Sequence, residues 1–237
     1  MTRSREDGLR WVTEGTALVR RALDGLDSDD ALGGPSALQG WTRKHLLAHI
    51  AANADAVGNL VAWARTGVET PMYTSRAQRN ADIEAGALRP AVDLLAWFER
   101  SAAALADAFA SLSDEEWEHL IVTGQGRTVP ATETPWMRAR EVMVHAVDLA
   151  GDVTFTDLPE DFLAALADDI VTKRGATGGR PVSVRASDTD VSLELAGAGD
   201  PVLVSGPLAQ VVAWLAGRTY TGLSAEGGAV PELGPWL

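Results

Sequence analysis

Between Pro90 and Leu112 the apolar residues Leu94, Phe98, Ala102, Leu105, Phe109 and Leu112 recur close to every 3.6 positions. That period demands an amphipathic helix whose apolar stripe is buried against neighbours. The same pattern, less strictly kept, runs from Arg5 to Leu26 through Leu9, Val12, Leu18, Val19 and Leu23, ending at a polar DSDD turn. It returns after Trp41-Thr42, where Leu46, Ile50, Val57 and Leu60 or Val61 share a face as far as about Ala64. A further helix is expected from Pro135 to Ala150, stopped by Gly151, and a shorter one from Arg76 to Ala85. Local signals agree with these bounds. Thr42 suits an N-cap, Pro90 a first-turn position, and Ser113 with Glu116 has capping-box spacing. The stretch TGQGRTVPATETP reads as a hairpin or an ordered loop. Four long helices and a shorter one predict an antiparallel four-helix bundle over residues 1–152.

Beyond that point the pattern changes. A linking helix from Leu158 to Thr172 is followed by the loop KRGATGGRP and then by three short runs, PVSVRA, VSLELA and PVLVS. These alternate or are β-branched, as strands are, and a last helix follows from Leu208 to Ala216. The expected architecture is therefore α+β overall, with a small α+β domain over 153–237.

Composition narrows the chemistry. The chain has 237 residues, 46% hydrophobic and 22% charged, enough to bury a core without a disulfide or a structural metal. A net charge of −13 with no Lys/Arg run speaks against nucleic acid and against anionic membrane surfaces. An anionic substrate would have to be met locally, by a few placed arginines. The polar start MTRSREDGLRW and the lack of a long apolar run predict a cytoplasmic protein with no spanning segment. Cysteine is absent, which removes disulfides, thiolate ligands and a cysteine nucleophile. Any thiol in the chemistry must arrive as a small molecule.

The histidines are His45, His49, His119 and His145. Glu141 and His145 stand four apart on one helix face, with Asp148 three further on. Spacing alone favours a solvated surface pair over metal ligands. His49 lies on the face that should point into the bundle, where facing helices commonly assemble metal sites from Glu and His. His49 with Glu141 and His145 would form a three-ligand site with open positions, as catalytic zinc sites have. His45, one turn earlier, competes for the same role. His119 sits beside Trp117 in a polar turn with no assigned task, and the tryptophans read as packing.

The segments GWTRKHLLAHIAANADAVGNLVAWARTGVETPMY, RNADIEAG and TGQGRTVPATETPWMRAREVMVHAVDL, with the closing AGRTYTG and VPELGPWL, resemble the mycothiol-dependent maleylpyruvate isomerases over nearly the whole chain. The Trp41-to-His49 helix followed by Glu-x-x-x-His is also the metal signature of the broader DinB-like bundle superfamily. The resemblance implies a DinB-like bundle plus a smaller α+β domain. It implies His49, Glu141 and His145 as ligands of a divalent metal, usually zinc, with His45 left as a neighbour. It implies mycothiol as cofactor and maleylpyruvate, an anion, as substrate, isomerised to fumarylpyruvate on the gentisate route of aromatic degradation. In that chemistry a thiolate adds to the double bond, the new single bond rotates, and elimination returns the trans alkene.

On this reading Arg79 is the first candidate for gripping a carboxylate, and Arg218 a second. Asp148 would orient a ligand histidine or simply lie on the helix surface. Arg138 and Arg140 are expected to partner nearby acids. Two other readings keep the scaffold: a mycothiol S-transferase or detoxifying enzyme acting on another electrophile, and a non-enzymatic metal-binding module. A third makes the histidines ordinary core residues.

Overall fold

The computed structural model describes residues 3–175, 181–234 and 236. The chain divides into two compact units, Ser4–Val153 and Thr154–Leu237 together with Met1–Arg3.

The first unit is built from α1 (Arg5–Ala22), α2 (Asp29–Gly33), α3 (Arg43–Thr66), α4 (Arg76–Ala87), α5 (Ala91–Ala110), α6 (Asp114–Trp117) and α7 (Thr134–Asp148). Its helix starts are capped by their own sequence. Ser4 forms a capping box with Asp7, and the Thr42 side chain accepts from the His45 amide while the His45 ring returns to the Thr42 amide. These bonds satisfy donors that a helix N-terminus otherwise leaves orphaned. Gly67, at φ 71°, closes α3 in the left-handed conformation, with its amide bonded to the Trp63 carbonyl.

Helix α1 packs along α7, and α3 packs on α4, α5 and α7. The α1–α7 approach is close enough that a Cβ on Gly15 would lie 2.5 Å from Val142 Cγ2. One apolar cluster, including Val19, Leu46, Leu47, Ile50, Leu94, Phe98 and Val142, fills one part of the unit. A second, including Val57, Leu60, Leu105, Phe109, Trp117 and Ile121, fills another.

Several local expectations are corrected. The first helix ends at Ala22 rather than Leu26, and Gly25 turns the chain at φ 73°. The DSDD stretch is not only a turn, because the Ser28 side chain accepts from the Ala31 amide and nucleates α2. Pro90 is the N-cap of α5, one position before the first turn. The hairpin expected around TGQGRTVPATETP is present: β1 (Leu120–Val122), just before the stretch, pairs antiparallel with β2 (Thr128–Pro130) inside it, and a 3-10 turn follows at Ala131–Glu133.

The second unit holds α8 (Glu160–Gly175), β3 (Val182–Ala186), β4 (Ser192–Leu195), β5 (Val202–Gly206), α9 (Leu208–Leu215) and β6 (Ser224–Ala225). The strand order is β4-β3-β5-β6. Strands β3 and β5 pair in parallel, with Val184 opposite Val204, while β4 and β6 flank them antiparallel. Burial alternates along β3 and β5 as a one-sided sheet requires, and α9 packs on both of these strands. The two-residue β6 carries too little pattern to be seen in sequence. Of the KRGATGGRP segment, Lys173–Gly175 complete α8, and residues 176–180 lie outside the described residues. No described helix is long and apolar enough to cross a membrane.

Candidate metal centre

His49 sits in the second turn of α3, one residue before Ile50 of the core, and is only 5% exposed. Glu141 and His145 lie four apart on α7, so one helix turn presents both toward the same point. The packing of α3 on α7 brings the sets together. His49 Nε2 is 2.9 Å from Glu141 Oε2, and His145 Nε2 is 3.3 Å from the same oxygen. The two imidazoles meet edge to face with centroids 5.1 Å apart. One potential ligand atom from each residue lies within 4.8 Å of the others.

The rings are oriented from behind. His145 Nδ1 donates to Asp148 Oδ2 at 2.9 Å, which turns Nε2 toward Glu141. Asp148 is fully buried rather than on the helix surface, and its backbone carbonyl accepts from the Ala37 amide at 2.8 Å. On the other side, Arg79 Nη2 lies 3.3 Å from His49 Nδ1. The Trp41 ring abuts His49 edge-on at 5.7 Å.

Charge in this cluster is strongly coupled. Burial by itself would raise the pKa of Glu141, but hydrogen bonds from His145 and His49 outweigh it and hold the carboxyl well below its ordinary range. Burial opposes the charged form of His145 too, yet Asp148 and Glu141 raise its pKa to about 9. Burial dominates at His49 and lowers its pKa, favouring a neutral imidazole. One carboxylate and two imidazoles, with a carboxylate behind one ring, form a donor set suited to a divalent metal such as zinc.

Other residues singled out in the sequence fall elsewhere. His45 is used in the α3 cap, with its Nε2 3.4 Å from Glu84. His119 Nδ1 bonds the Ala64 carbonyl at 2.6 Å and anchors the hairpin region to the end of α3. Arg218 belongs to the α+β unit, where its Nη1 donates to the Ala216 carbonyl. Arg140 lies over the Trp136 ring. Arg138 departs from expectation. Its hydrogen bonds go to the Ile50 carbonyl at 2.7 Å and Asn53 Oδ1 at 2.9 Å, not to an acid.

Sequence reasoning passed over Asn53 and Tyr73. Tyr73 is a half-buried neighbour of Arg79, whose guanidinium carbon is 5.9 Å from the ring, and burial raises the pKa of its phenol. An asparagine on the inward face of α3, four residues after His49, was the one available signal.

The fold and this cluster define a helical bundle with a His/Glu/His centre, joined in one chain to a small α+β domain. The chain belongs to the mycothiol maleylpyruvate isomerase family. Residues 12–150 match the mycothiol maleylpyruvate isomerase N-terminal domain, and residues 157–234 match the MDMPI C-terminal domain. It is similar to the crystal structure of the mycothiol-dependent maleylpyruvate isomerase, with 41% identity over 100% of both chains and a TM-score of 0.94. A histidine-to-alanine mutant of that isomerase is similar to the same extent, with 41% identity, 100% of both chains covered and a TM-score of 0.93. No curated protein matches the chain.

Proposed function

We propose that the chain is a metal-dependent cis–trans isomerase that uses mycothiol to convert maleylpyruvate to fumarylpyruvate. The observation that carries the reading is the convergence of His49, Glu141 and His145 from two helices in a protein without cysteine. Similarity over the full length to an isomerase that depends on mycothiol supports the same thiol here. His49, Glu141 and His145 would hold the metal, with zinc as its proposed identity. When bound, the metal would favour the thiolate over the thiol and so supply the nucleophile at neutral pH.

The chain's own residues do the rest. Asp148 fixes His145 with Nε2 available, and Glu141 brings a negative charge that the buried imidazoles do not. Arg79 places a cation against His49, where it can bind a substrate carboxylate or stabilise negative charge developing on the keto oxygen. Arg218 is a further proposed participant, read out as a raised KM in Arg218→Ala. In the proposed division of labour, residues 1–152 form an antiparallel four-helix bundle that carries the metal, and 153–237 form the accessory α+β domain. The proposed setting is cytoplasmic degradation of aromatic compounds through gentisate.

The test is conversion of maleylpyruvate to fumarylpyruvate by purified protein, with and without mycothiol, before and after chelation. Turnover that needs both thiol and metal is expected. Metal-bound protein that acts on other electrophiles with mycothiol, and leaves maleylpyruvate untouched, would move the assignment to an S-transferase. Metal binding without any thiol-dependent turnover would leave a binding module.

A further inference from the structure

Arg138 is among the largest fully buried side chains among the described residues, at 1% exposure. Its Nη1 is shared between the Ile50 carbonyl and Asn53 Oδ1, and Nη2 has no hydrogen-bond partner among the described residues. No carboxylate among the described residues forms an ion pair with it; Glu141, Tyr73 and Asp55 act on it only through their fields. A buried guanidinium without a bonded acid, and with an unsatisfied donor, is costly. An apolar side chain of similar volume is often no less stable at such a position. Stability therefore gives no reason for an arginine here, whereas its placement does.

Ile50 follows His49 directly on α3, and Asn53 is one turn further. On α7, Arg138 precedes Glu141 by one turn and His145 by two, all on one face. The paired bonds therefore tie the backbone beside His49 to the stripe that carries Glu141 and His145. A small slip of α3 along α7 would separate His49 Nε2 from Glu141 Oε2, now 2.9 Å apart.

We propose that Arg138 is a positioning residue that fixes the register of α3 against α7, and with it the separation of His49 from Glu141 and His145. The inference rests on the metal reading above and concerns how the ligand set is assembled, not what is turned over.

Cobalt(II) alone serves as the probe. Its affinity and visible absorption spectrum are measured for the wild-type protein, Arg138→Met, Arg138→Lys and Asn53→Leu, alongside urea unfolding of each metal-free protein. Arg138→Met is expected to unfold no earlier than wild type, to bind cobalt about 10- to 100-fold more weakly, and to shift the absorption bands. Arg138→Lys keeps the charge but not the two-atom reach, so partial recovery of affinity is expected with a spectrum still displaced. Wild-type affinity and spectrum in a folded Arg138→Met would overturn the proposal. So would lowered stability with both cobalt readouts unchanged. Should Arg138→Met fail to fold, unaltered cobalt binding and spectra in both Arg138→Lys and Asn53→Leu would refute it equally. A wild-type protein that takes up no cobalt would remove the metal reading itself, before any variant is compared, and this inference with it.

Discussion

The helical unit and the α+β unit bury different things. Every buried polar or charged residue among those described lies in the helical unit, with His49, Asn53, Arg138 and Asp148 among them. The buried residues of the α+β unit are apolar, from Phe162, Leu166 and Ile170 on α8 to Val204 on β5 and Leu215 on α9. Burying polar groups is costly unless each is bonded; the helical unit meets much of that demand with specific pairs such as His145–Asp148, and leaves Arg138 Nη2 unbonded among the described residues. The contrast separates a region where side chains were selected for placement from one where filling space suffices.

Substitutions in the two units should therefore fail in different ways. His49→Ala should cause the largest change, a loss of well over about 100-fold in metal affinity and of thiol-dependent turnover in a protein that stays folded. Metal titration followed by circular dichroism would check this, and undiminished binding would break the contrast. In the α+β unit, Leu166→Ala should cost about 2–5 kcal/mol in urea unfolding and leave metal affinity of the folded fraction unchanged. Returning to the site, Asp148→Asn should weaken metal binding by about 10- to 100-fold, because the amide holds His145 less firmly and adds no charge. Gly15→Ala should destabilise by about 1–3 kcal/mol, since its Cβ would collide with Val142 across α1 and α7. The smallest effect belongs to Ser28→Ala, about 1 kcal/mol through loss of the α2 cap, with no change in metal binding.

Much of the helical architecture was legible because local rules sufficed for it. The stripe from Leu94 to Phe109 marked α5, and Thr42 and Ser113 marked helix starts through bonds reaching only three residues. Short or low-contrast elements escaped. A five-residue helix at Asp29–Gly33 and a two-residue strand at Ser224–Ala225 hold too few positions for a period to show. Arg138 was misread because its charge suggested an acidic partner. Its actual partners, a carbonyl and an amide on α3, are more than 80 positions away in sequence.

For the site, the sequence alone determined which side chains exist and which share a helix face. Glu141, His145 and Asp148 follow from the pitch of one helix, and the absence of cysteine excludes an internal thiol. Only the tertiary structure decided that the His49 ring reaches them. His45 and His49 lie one turn apart; the inward face of α3 and the family resemblance favour His49, but neither brings it within bonding distance until α3 is seated on α7. Seated, His49 is directed at Glu141 while His45 closes its own helix cap. The physical reason is range. Caps and faces are set by neighbours a few residues apart, whereas the His49–Glu141 meeting joins residues 92 positions apart and depends on how two buried helices pack.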